Sequence, residues 1–207
     1  MTEEEQSISN DRLPERSRAR SQKIEQALVL RQPMLTVVVE NIHDPHNFNA
    51  ILRSCDAVGV MRVCLVYNIE KSPRLAHVSS SGAYKWIDFE RFPTIESCYE
   101  SLRKDGFRIL ATKIEPNAHG LYTNDLTVPT ALVLGNEHRG ISEQAAALAD
   151  DLLYIPMHGM SESLNVSVAA AVCLFEAMRQ RLAKGMYDSA QLSPEALRSK
   201  LIDWLTR

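Results

Sequence analysis

The sequence predicts an α/β fold, one domain with a short helical extension at each end, and three observations predict it. Strand-like and helix-like stretches alternate along most of the chain, as in folds assembled from βα units. The run Leu35–Glu40 (LTVVVE) is β-branched with no polar alternation, the mark of a strand buried on both faces. Leu152–Arg181 begins as an apolar strand that Pro156 ends, passes through a polar glycine-containing loop and enters a long helix carrying Ala169-Ala170-Ala171. Open α/β sheets place ligands at such a loop. An ordinary strand–loop–helix unit with a serine N-cap explains the same residues.

The elements follow in order. A polar N-terminal segment turns helical over Ser21–Leu30. After the strand Leu35–Glu40 comes a loop to Pro45, which denies the residue before it the helical region. A helix over Asn47–Val58 follows, with Asn47 at its N-cap and Gly59 as C-terminal glycine. Val63–Tyr67 is a strand, Ser79–Gly82 a turn or short helix, and Ile87–Phe89 another strand. Thr94 caps a helix to Lys104 that Gly106 ends. Arg108–Thr112 is a strand, Asn117–Asp125 a loop and Thr130–Leu134 a strand. Ser142 caps a helix to Leu148, and Leu152–Ile155 is the last strand. Ser193-Pro194-Glu195 starts a final helix through Leu205, with Leu197, Leu201, Ile202 and Leu205 on one side. The divisions are 1–33, 34–186 and 187–207.

Composition narrows the class. A chain of 207 residues, 45% hydrophobic and 24% charged, suits one soluble domain with a substantial core. No apolar run is long enough to span a membrane, and MTEEEQSISNDR is unlike a secretory signal, so a cytoplasmic protein is expected. Cys55, Cys64, Cys98 and Cys173 are widely separated with no CxxC pair, which predicts buried free thiols. The net charge of −3 argues against indiscriminate polyanion binding. RNA would have to be met by a local patch, such as Arg12, Arg16, Arg18, Arg20 and Lys23. Arg179, Arg181 and Lys184 form a second group, but cations ending a helix also complement its dipole.

Several motifs are excluded. Gly135–Gly140 (GNEHRG) has phosphate-loop glycine spacing but lacks the lysine, and no GxGxxG follows a strand. His43 and His46 have no third ligand nearby in sequence, so no metal is expected. Three polar clusters at strand ends are left: Glu40–Asn47 with Arg53, Gly135–Gly140, and Ser161–Ser167. Arg53 lies on a helix of largely apolar residues and should face a carboxylate, a phosphate or a subunit interface. Glu137 is a candidate carboxylate for it, or a partner for Asn165.

The segments PHNFNAILRSCDAVGV, LVLGNEHRGIS and IPMHGMSESLNVSVAAAVCLFEAMRQR resemble, in order, the three motifs of the SpoU branch of the SPOUT RNA 2′-O-methyltransferases. RQPMLTVVVENIHDPHN and Gly159-Met160 resemble more narrowly the branch that methylates guanosine 18 of tRNA. The resemblance implies a mostly parallel sheet whose C-terminal chain is threaded into a deep trefoil knot, an S-adenosylmethionine site and a homodimer. It implies cofactor contacts from Thr112, Gly135, Asn136 and Ile155, with Met160 and Leu164 closing over the site. By the same resemblance Arg53 is the catalytic arginine, supported by Asn47, Glu137, Ser163 and Asn165. Arginine side chains stay protonated in proteins, so a positioning and electrostatic role is expected rather than a base. His138 departs from the lysine often found there. A ribosomal RNA substrate and a non-catalytic RNA-binding factor are the alternatives.

Overall fold

Every pairing in the sheet is parallel, with strand order β3-β2-β1-β6-β4-β7-β5. The computed structural model describes residues 15–72 and 82–207. Arg12, the Arg16 side chain and most of the expected Ser79–Gly82 turn lie outside the described residues. The strands are β1 (Leu35–Glu40), β2 (Arg62–Val66), β3 (Asp88–Phe92), β4 (Arg108–Thr112), β5 (His119–Gly120), β6 (Thr130–Leu134) and β7 (Asp151–Tyr154). The helices are α1 (Glu15–Val29), α2 (Pro45–Ala57), α3 (Ile95–Lys104), α4 (Glu143–Leu148), α5 (Val166–Ala183) and α6 (Pro194–Thr206).

Side chains alternate across a strand, so each inner strand feeds two cores. Val37 and Val39 of β1, Leu132 and Leu134 of β6 and Leu153 of β7 meet α2 and α5 on one face. Val38, Ala131, Val133, Ile109 and Ala111 meet α3 and α4 on the other. Burial on both faces is why β1 and β6 read as continuous apolar runs. The result is three layers with the carboxyl ends of the strands along one rim.

Several boundaries differ from expectation for identifiable reasons. Asp44, not Asn47, caps α2: it is extended, its carboxylate accepts from the His46 N–H at 2.8 Å, and Pro45 takes the first helical position. Proline's fixed φ suits that position, and its clash keeps Asp44 extended. Asn165 caps α5 in place of the expected serine. The loop expected over Asn117–Asp125 contains β5, two residues paired to Leu153 and Tyr154. A two-residue strand is too short to carry a period. Helix α1 begins at Glu15 rather than Ser21, because the run to Arg20 is made of good helix formers.

The two extensions pack on each other. Ile24 and Leu28 of α1 surround Trp204 of α6, with Leu197 and Leu201 beside it. Ile202 and Leu205 are exposed, so the packed stripe runs Leu197–Leu201–Trp204 and not through Ile202 and Leu205 as the sequence suggested. Trp204 stacks obliquely on Trp86 at 5.1 Å and lies under the Arg31 guanidinium at 4.8 Å. Arg31 in turn pairs with Asp56 of α2 at 2.5 Å. Arg181 is no surface cation: it is fully buried and donates to the carbonyls of Leu126, Met34 and Val128 and to Gln32. Burial pulls its pKa below the usual arginine value, and those four acceptors make its charge tolerable. Arg179 pairs with Glu176, and Lys184 is exposed at the end of the helix. All four cysteines are buried and unpaired. No described helix is long and apolar enough to cross a membrane.

Candidate active site

Three loops meet at the carboxyl rim, the usual binding edge of a parallel α/β sheet. The segment after β1 brings Asn41–Asn47, the segment after β6 brings Gly135–Gly140, and the segment after β7 leads to Asn165 at the start of α5. Glu137 ties the first two together. One of its oxygens accepts from the Asp44 N–H and the Asn47 side-chain amide, both at 3.0 Å, and the other from the His43 N–H at 2.9 Å. Asn165 then donates its side-chain amide to the Asn47 side-chain oxygen, Oδ1, at 3.0 Å. Glu137, Asn47 and Asn165, separated by up to 118 positions, thus form one hydrogen-bonded chain. Partial burial pushes the Glu137 carboxyl up, but donation from His43, Asn47 and Asp44 outweighs it and leaves the pKa below the ordinary value. Glu137 is therefore a fixed anion at the start of α2 and a poor proton acceptor.

Local geometry explains why each loop holds its shape. Asn136 accepts from the N–H groups of His138 and Arg139 and donates to the Asn41 carbonyl, so its side chain shapes the loop. A methyl group at Gly135 would fall on the Gly140 carbonyl and Ile141 nitrogen, so only glycine fits. Asn41 adopts a left-handed φ of 52° and is buried. Its side-chain oxygen gathers three consecutive N–H groups, of Asn68, Ile69 and Glu70, which fixes the segment after β2 beside the other loops. The buried Glu40 carboxylate accepts from the Ser142 N–H at 2.8 Å and secures the far end of the Gly135 loop.

Two cavities share this rim. The first, about 380 Å³, runs along Thr112, Gly135–Ile141 and Leu153–Ile155 to an apolar floor of Val166, Ala169 and Cys173. Its volume and its mix of apolar wall and loop backbone fit a nucleoside-sized ligand. The second, about 360 Å³, is lined by His43, Asp44, Asn47 and Asn165. Glu137, His138, Ser163, Leu164 and Val166 border both.

The structure thus brings together Asn47, Glu137, Ser163 and Asn165, and separately Thr112, Gly135, Asn136, Ile155 and Leu164. Thr112 donates its hydroxyl to the Val133 carbonyl, so only its remaining atoms are available to a ligand. Met160 is fully exposed and does not line the cleft; Met157 does. Arg53 is exposed on α2 with no hydrogen-bond or ion-pair partner among the described residues, and Glu137 is not its counter-ion. Arg20 and Lys23 are exposed on α1, and Arg18 is half-buried. Sequence reasoning placed Asn41 in a polar cluster without giving it a role, and missed Glu70. An asparagine directly after a buried strand was the available signal, since asparagine tolerates the left-handed region. Among the described residues no three His, Cys, Asp or Glu side chains are grouped to hold a metal ion.

The chain is 47% identical over 193 residues to a tRNA (guanosine(18)-2′-O)-methyltransferase of Thermus thermophilus, covering 93% of this chain and 99% of that protein. The crystal structure of the Aquifex aeolicus TrmH/SpoU tRNA modifying enzyme superposes with a TM-score of 0.86 at 36% identity, covering 92% of this chain and 96% of that one. The SpoU methyltransferase AviRb of Streptomyces viridochromogenes, in complex with the cofactor AdoMet, superposes with a TM-score of 0.64 at 29% identity, covering 75% and 64%. The profile described as the SpoU rRNA Methylase family matches residues 34–175, which takes in all three loops, and the chain belongs to that family.

Proposed function

We propose that this protein transfers a methyl group from S-adenosylmethionine to a ribose 2′-hydroxyl of tRNA, at guanosine 18. The observation that carries the reading is the Glu137–Asn47–Asn165 chain at the boundary of two cavities, one suited to a nucleoside and one polar. In the first cavity the loops at Gly135–Asn136 and Ile155 and the side chain of Leu164 would hold the cofactor, which supplies an already activated methyl group. The protein's main task is then alignment. Ser163 borders both cavities and can orient the nucleophilic hydroxyl, while Glu137 and Asn165 hold Asn47 in place. Arg53 has no partner among the described residues, and its guanidinium is suited to a phosphate beside the target ribose and to charge developing on the hydroxyl oxygen. Exposed Arg20 and Lys23 support RNA docking along α1, the proposed role of the segment before residue 34. The same reading places the protein in the cytoplasm. It also includes the trefoil knot that the family resemblance implies.

The test is radiolabelled methyl transfer from S-adenosylmethionine to an unmodified tRNA transcript, beside a transcript with guanosine 18 replaced. Transfer to the first and not the second is expected. Transfer to both would overturn the site assignment. Transfer to neither, with the cofactor bound, would favour ribosomal RNA.

We propose in addition that the active form is a homodimer across α5. One stripe of this helix, Ala170, Cys173, Leu174 and Ala177, is buried in the core. The other carries Val168, Phe175 and Leu182 at seven-residue spacing, 48%, 50% and 49% exposed. A helix apolar on two sides needs two covers. Sedimentation should give twice the 23.3 kDa chain mass, and Phe175→Glu should give the chain mass. A wild-type protein sedimenting as a single chain would sink this proposal.

A further inference from the structure

The rim of the polar cavity holds a second charged group that the reading above leaves unused. Glu70, on the segment after β2, places one carboxylate oxygen 2.6 Å from the Arg139 guanidinium and the other 3.0 Å from Nδ1 of His43. Arg139 belongs to the Gly135–Gly140 loop and lines the first cavity; His43 belongs to the Asn41–Asn47 loop and lines the second. The carboxylate therefore bridges two cationic or hydrogen-donating groups, one from each loop that Glu137 also joins. The arrangement is built in: the Glu70 N–H is one of the three held by the buried, left-handed Asn41.

The bridge is poorly suited to be a structural element. Arg139 is 50% exposed and the His43 side chain 67%, and exposed ion pairs add little to stability. Donation from Arg139, then His43, holds the Glu70 carboxyl below its ordinary pKa, so it is an anion at neutral pH. His43, which it contacts, also gives its backbone N–H to Glu137, so two carboxylates share this residue in a site that must accept a polyanion. A phosphodiester group offers the same two-oxygen edge to the same two donors, and guanidinium matches that edge bidentately.

We propose, building on the RNA-methylating reading, that His43 and Arg139 form a phosphodiester subsite for the substrate RNA, occupied in the free protein by the Glu70 carboxylate. Binding of RNA displaces Glu70, and a backbone phosphate takes its place between the two loops. This subsite is separate from Arg53, which stands on α2 and takes no part in the bridge.

The experiment is steady-state methyl transfer to the tRNA transcript by the wild type, Glu70→Gln, Arg139→Ala and the double variant. Glu70→Gln removes the competing charge while keeping the shape, and should lower KM for tRNA about threefold, within the range of an exposed ion pair. KM for S-adenosylmethionine should stay unchanged. Arg139→Ala should raise KM for tRNA and reduce the dependence of log KM on log salt by about 0.7 to 0.9, the loss of one phosphate contact. In the Arg139→Ala background, Glu70→Gln should bring a smaller gain, since only His43 is then released. A higher or unchanged KM for tRNA in Glu70→Gln, or an unchanged salt slope in Arg139→Ala, would overturn the subsite. Should Glu70→Gln fail to fold, the salt slope of Arg139→Ala decides alone. Wild-type transfer to tRNA tests the substrate reading, and only the ratios of variant to wild type test the subsite.

Discussion

Arg53→Ala is expected to slow methyl transfer by about 10²- to 10³-fold, the scale for removing one preorganised donor from a developing charge. Phe48, Ile51, Leu52 and Cys55 anchor α2 in the core, so the helix stays in place and only the guanidinium is lost. Because Arg53 has no partner among the described residues, its removal leaves no orphaned group behind and should not lower the melting temperature. It does not line the proposed cofactor cleft, so calorimetric binding of S-adenosylmethionine should match the wild type. Arg53→Lys separates two roles. Lysine keeps the charge but not the planar fork, so a positioning arginine should lose most of its rate in this variant as well. Full rate in Arg53→Lys, with the pH profile moved, would instead identify a proton acceptor. Turnover within a few-fold of wild type in Arg53→Ala would remove it from the site altogether.

Glu137→Gln should reduce transfer by about 10- to 100-fold, because a glutamine amide would face a backbone N–H now satisfied by a carboxylate oxygen. Asn47 would lose its anchor and Asn165 would follow, since the three are linked in series. The sign of the accompanying pH effect follows from the lowered pKa of Glu137 in the folded protein. Such a group adds stability that is fully present above the unfolded-state carboxylate pKa and is lost as pH falls through the lower folded value. Thermal melts at pH 6 and pH 3 should therefore show a larger acid loss in the wild type than in Glu137→Gln. Equal acid losses in the two proteins would mean that Glu137 is not held as an anion.

Much of the site was legible because its residues carry strong local signals. Proline after a buried strand, glycine at Gly135 and the asparagine before α5 are dictated by backbone conformation, which acts within a few residues. Partners were another matter. The sequence offers Asn47 as a cap, and Glu137 either as the carboxylate facing Arg53 or as a partner of Asn165. In the fold a nearer residue, Asp44, takes the cap and leaves Asn47 free to join Glu137 to Asn165. Nothing between positions 47 and 165 encodes that meeting except the order in which the strands cross.

By itself the sequence determined the elements and the rim. The continuous apolar runs of β1 and β6 could be stable only between two helical layers, and the polar clusters could then lie only at strand ends. Tertiary structure alone decided what faces what. It buried Arg181 that looked superficial, left Arg53 without a carboxylate partner among the described residues, exposed Met160 that looked like a lid, and set Glu70 between Arg139 and His43. The physical reason is range: helix, strand and turn preferences are settled by neighbours in sequence, whereas hydrogen bonds and ion pairs belong to whichever groups the packed sheet brings within about 3 Å.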